Sequence, residues 1–103
     1  MNTEHVSYVG HEVIDDDLNT VGVITDVLYD DGENEPKWLV VKPGLLQSER
    51  FVPIEGSYES AAGNVVVPFD KQWVKAAPKA SGDHVLTADI EHEAAAHYDL
   101  HDA

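Results

Sequence analysis

Apolar residues along this chain come in short runs separated by turn chemistry. Val9–Ile14 is a short extended candidate, ended by "DDDLN" at Asp15–Asn19. Asp and Asn there bond to nearby backbone groups and favour a turn. Val21–Tyr29 is the clearest strand, because Val, Ile, Thr and Tyr fit a pleated surface. Alternation puts Val21, Val23, Thr25, Val27 and Tyr29 on one face and Gly22, Ile24, Asp26 and Leu28 on the other. Both faces are apolar, with Asp26 in the middle of the second. Trp38–Lys42 is the next β-rich run, and "DDGENEP" before it gives a hairpin signal with a loop longer than two residues. Pro43-Gly44 ends that run. Phe51–Ile54 is a further strand, with Pro53 confined to an edge or bulge because it cannot donate to a ladder. Asn64–Phe69 follows a Gly63-Asn64 turn. Short strands this closely spaced predict a mainly β, antiparallel barrel or sandwich.

The period then changes. Asp70 can cap a short helical turn over Asp70–Ala77, and Pro78 would stop it. The "KASGDHV" stretch after it reads as an irregular link. Thr87 can cap a closing helix over roughly Ala88–Tyr98, with Asp89 and Glu91 near its positive end. Ile90, Ala94 and Tyr98 share one face of that helix, with His97 beside them. The stripe is narrow, so the helix is expected to dock rather than stand alone.

Length and charge narrow the function. A chain of 103 residues suits one domain with a thin core. Its 20 acids against 6 bases give a formal charge of −14. Residues 1–50 hold eleven acids, residues 51–80 are balanced, and residues 81–103 hold six acids with no Lys or Arg. That distribution argues against nucleic acid and against anionic membrane surfaces. It favours solubility, a basic partner or a high-salt environment, and a solvated acidic surface is the plainest account. There are no cysteines, which excludes disulfides and thiolate chemistry. The N-terminus lacks a signal-peptide pattern, and no apolar run approaches the roughly twenty residues that span a bilayer. A cytoplasmic placement without membrane insertion is the resulting expectation.

Four segments carry a family resemblance: "VGVITDVLYDD" (Val21–Asp31), "PKWLVVKPG" (Pro36–Gly44), "RFVPIEG" (Arg50–Gly56) and "NVVVPFDKQWVKAAP" (Asn64–Pro78). In order and spacing they resemble the PRC-barrel family, small barrels similar to the cytoplasmic domain of the photosynthetic reaction-centre H subunit. The tail Leu86–Leu100 is similar to the helix that often ends bacterial members. Asp99 stands where many such tails have Gly, a departure that bears on the helix end. The resemblance implies a partly open antiparallel barrel of about five to six strands. It implies a barrel over residues 1–80, then an acidic linker and helical tail over 81–103. It also implies a docking role, as beside a membrane complex or against a ribosomal protein, with no common catalytic site and no cofactor.

Candidate chemistry is sparse. On a continuous helix Glu93, His97 and His101 would share one face at metal-ligand spacing, although His101 lies past the expected helix end. A docked His97 and an exposed tail is the favoured account. "HEAAAH" at His92–His97 is not the HExxH zinc pattern. The acidic runs Asp15–Asp17 and Asp30–Glu35 lack the calcium-loop spacing and read as turns. Asp26 reads as a structural carboxylate bonded to nearby backbone rather than a catalytic one. Trp73 is expected to pack over one barrel mouth, while Trp38 stands evenly between core and partner surface. The function expected is a non-enzymatic binding or adaptor barrel, homodimeric, with a basic protein as partner. Its partner or dimer surface would be Val21, Val23, Val27, Tyr29 and Trp38. The alternative is a small-ligand or metal sensor built on Glu93, His97 and His101.

Overall fold

In the computed structural model residues 8–29, 36–44, 47–80 and 85–98 are described. Among them six strands and two helices run in the order β1 (Glu12–Ile14), β2 (Thr20–Tyr29), β3 (Pro36–Lys42), β4 (Arg50–Pro53), β5 (Tyr58–Glu59), β6 (Val65–Val66), α1 (Lys71–Lys75) and α2 (Ala88–His97). The strands form one sheet in the order β4-β3-β2-β1-β6-β5. Neighbours are antiparallel except β1 and β6, which run parallel and make the sheet mixed.

Connectivity forces this sheet to curl. Pro53 on one outer strand and Tyr58 on the other are joined by a chain that can span at most about 18 Å. A flat sheet of six strands would hold its outer strands about 24 Å apart. The turn between them tightens the constraint, with Ser57 N–H donating to Ile54 O at 2.8 Å. The result is a half-barrel.

The two-faced alternation expected of β2 does not survive pairing. Val13 faces Gly22 but Ile14 faces Thr20, so Val21 bulges. Ile24 faces Val41 but Asp26 faces Val40, so Thr25 bulges against β3. Each bulge restarts the period. Val21 and Ile24 are therefore both buried while Val23 between them is exposed. In β3 the four residues Trp38, Leu39, Val40 and Val41 are all buried, so this strand has no wet side. Val74 and Ala77 at α1, and Ala94 and Tyr98 at α2, complete the same core.

Gly22 is required where β2 meets the end of β3. A Cβ there would lie 2.8 Å from the Lys42 carbonyl carbon and 2.9 Å from Pro43 Cα. Both are backbone atoms that cannot swing aside.

Both helix starts are as the sequence predicts. Asp70 Oδ1 accepts from Trp73 N–H at 2.8 Å, and Thr87 Oγ1 accepts from Ile90 N–H at 3.2 Å. Strand β5 has no sequence signal, since both its residues are exposed and it exists only by pairing with β6. Strand β6 is shorter than the Asn64–Phe69 run, although Val67 N–H still donates to Ile14 O at 2.9 Å.

Candidate functional site

The closing helix α2 is held by aromatic rings and by polar atoms that burial obliges to pair. Tyr98, just past its end, lies 4.6 Å from the ring of Phe69 and 6.4 Å from that of Trp38. Its hydroxyl donates to Phe51 O at 2.7 Å. Burial pushes the Tyr98 phenol well above its ordinary value, and the Arg50 charge offsets only part of this. Trp38 Nε1–H donates to Glu91 Oε2 at 3.0 Å, and Lys37 Nζ reaches the same oxygen at 3.0 Å. The bond from Trp38, then that from Lys37, hold the Glu91 carboxyl below the usual range against an opposing effect of burial.

Trp73 and His97 form a reciprocal clasp. The rings stack at 4.6 Å and 16°, Trp73 Nε1–H donates to His97 O at 3.0 Å, and His97 Nε2 bonds Trp73 O at 2.7 Å. A carbonyl only accepts, so Nε2 carries the proton.

The expected partner surface is divided by this packing. Trp38 is 1% exposed and Val21 is 0% exposed, so neither lies on the surface of the chain. The bulge at Val21 turns that side chain inward, and α2 covers Trp38. Val27 is half-buried against the core. Val23, at 40% exposed, and Tyr29, at 51%, do face solvent.

Asp26 is half-buried beside the Thr25 bulge, where its Oδ1 accepts the N–H of Val27 at 2.8 Å. The most buried carboxylate among the described residues is instead Asp15, 1% exposed. Its Oδ1 accepts the N–H groups of Asp17 and Asn19, both at 2.9 Å, and its Oδ2 accepts that of Lys71 at 3.1 Å. Asp15 thereby ties the β1–β2 turn to the start of α1. Its place in an Asp/Asn turn was visible in the sequence, but the partner at Lys71 was not.

Of the metal candidates, Glu93 is exposed and His97 is committed to Trp73. His101 lies outside the described residues, as do Asp99 and the run Asp30–Glu35. Among the described residues no three His, Asp or Glu side chains converge. No described helix is long and apolar enough to cross a membrane.

Where the outer ends of β2 and β3 meet the start of α2, Leu28, Tyr29, Lys37, Trp38, Leu86, Ala88 and Glu91 line an open groove of about 410 Å³. Leu28, Leu86 and Ala88 give it an apolar part, beside which stand Lys37 and the bonded carboxylate of Glu91. A carboxylate held by an indole beside apolar side chains gives the groove a pre-set charged contact.

A family model described as the PRC-barrel domain matches residues 5–89, most of the chain. The chain belongs to the PRC-barrel family. A search of curated proteins found no match. The PRC-barrel match ends within the first turn of α2, so Ala94 and Tyr98, which seal this barrel's core, lie beyond it.

Proposed function

We propose that this PRC-barrel is a non-enzymatic docking module for a basic protein partner, acting in the cytoplasm. One observation carries the reading. On a chain of formal charge −14, β2 keeps the large apolar side chains of Val23 and Tyr29 exposed, although its other large apolar residues pack into or against the core. Exposed aromatic and aliphatic anchors supply affinity, and the acidic surface sets partner choice and association rate. The test is chemical crosslinking in native lysate with wild type and with the Val23→Glu/Tyr29→Glu double variant. Loss of a specific basic adduct in the variant is expected. An unchanged adduct pattern would remove these anchors.

A homodimer is the second reading, favoured by the same two exposed side chains. Two copies repel through fourteen formal charges each, so pairing should need salt. Light scattering on the eluting protein decides it: a monomer at both low and molar salt would end the homodimer.

A further inference from the structure

The groove beside α2 has a more specific occupant, whose assignment rests on the docking role proposed for the barrel. We propose that it receives an arginine side chain from an extended segment of a basic protein partner. Three observations point there.

The first is the anchored carboxylate. Both bonds to Glu91 end on Oε2, from Trp38 Nε1–H and from Lys37 Nζ, and among the described residues Oε1 takes none. The bond from the buried indole fixes Glu91 before any ligand arrives, so little ordering cost remains at binding. The pair with Lys37 is different. Both of its side chains are substantially exposed, at 43% and 36%, and exposed pairs contribute little. Lys37 can yield to a guanidinium, which forks onto a carboxylate where an ammonium makes a point contact.

The second is the floor. Leu28 and Leu86 are half-buried and pack on the core, and Ala88 is exposed at the groove edge. The three-carbon stem of Arg can lie along them. Tyr29 offers an exposed ring to stack a guanidinium plane.

The third is charge. Lys37 is the one cation among the groove-lining residues. Glu91 stands in the groove and Asp89 in the first turn of α2, on a chain of formal charge −14. An acidic segment would meet repulsion from all of these for one contact with Lys37.

The experiment is an amide and indole NMR titration of the full chain in about 150 mM salt, where long-range attraction is screened. The probe is a short peptide alternating Arg and Leu, compared with versions carrying citrulline or Glu in place of Arg. The two tryptophans report separately, since Trp38 Nε1–H lies at the groove while Trp73 Nε1–H bonds His97 O. The expected result is movement of the Trp38 indole and of the Leu28, Tyr29, Leu86 and Ala88 amides, with Trp73 still. Binding should weaken roughly tenfold with citrulline, and as much in Ala88→Arg or Tyr29→Ser. An unmoved Trp73 signal in those variants reports that the fold is intact. If the Arg peptide binds but its shifts fall elsewhere, or Ala88→Arg changes nothing, the groove is overturned and the basic-partner reading stands. If the Glu peptide binds as well as the Arg peptide, or the Arg peptide does not bind, both are overturned.

Discussion

At the β1–β2 turn the Asp15 carboxylate points inward and gathers N–H groups from Asp17, Asn19 and Lys71. Burial acts to raise its pKa, but the backbone bonds from Asn19 and Lys71 outweigh it and hold the carboxyl below the ordinary value. A folded-state pKa below the unfolded one stabilises the fold above about pH 4, and that contribution is lost as pH falls through the folded value. Asp15→Asn leaves part of this N–H set without an acceptor and should cost about 1–3 kcal/mol near neutral pH. Urea unfolding at several pH values checks it, with the gap between wild type and variant closing as pH drops below about 4. At Gly22, substitution by Ala drives Cβ against the backbone of Lys42 and Pro43. A loss of about 3 kcal/mol is expected, read from the urea midpoint. In the sequence Asp15, just after β1, and Asp26, within β2, are both acids beside apolar runs. Only their surroundings distinguish a carboxylate that ties its own turn to a distant helix from one that bonds the next residue's N–H beside a bulge.

At the scale of elements, helix α2 was legible and its purpose was not. Its start follows from Thr87, because capping is settled within three residues. Its narrow apolar stripe correctly implied docking. Which rings it meets depends on Trp38 of β3, on Phe69 and on Trp73 of α1, all far away in sequence. Tyr98→Phe keeps the ring and removes the hydroxyl that satisfies Phe51 O, so stability should fall by about 1–2 kcal/mol with an unchanged denaturant slope. A larger change in slope would mean that α2 unfolds separately from the barrel. Strand β2 shows the opposite case. Its existence was plain from its Val, Ile, Thr and Tyr content, but its faces were not, because the bulges at Val21 and Thr25 arise only from pairing with β1 and β3.

At the scale of the whole molecule, charge is the dominant property. A formal charge of −14 on 103 residues repels itself, and added salt screens that repulsion. The melting temperature near neutral pH should rise by roughly 5 °C between low and molar sodium chloride. Scanning calorimetry checks this, and a fall would show that specific ion pairs such as Lys37–Glu91 outweigh the general repulsion.

The strands other than β5, both helix caps and the acidic charge follow from the sequence alone, because each depends on residues a few positions apart or on simple composition. The mixed pairing of β1 with β6, the inward turn of Val21 and the burial of Trp38 needed the folded chain. So did the joining of Trp38 to Glu91, Phe51 to Tyr98 and Asp15 to Lys71, pairs 53, 47 and 56 residues apart. No local pattern encodes which distant partner satisfies a buried polar atom. Only closure of the half-barrel brings the two together.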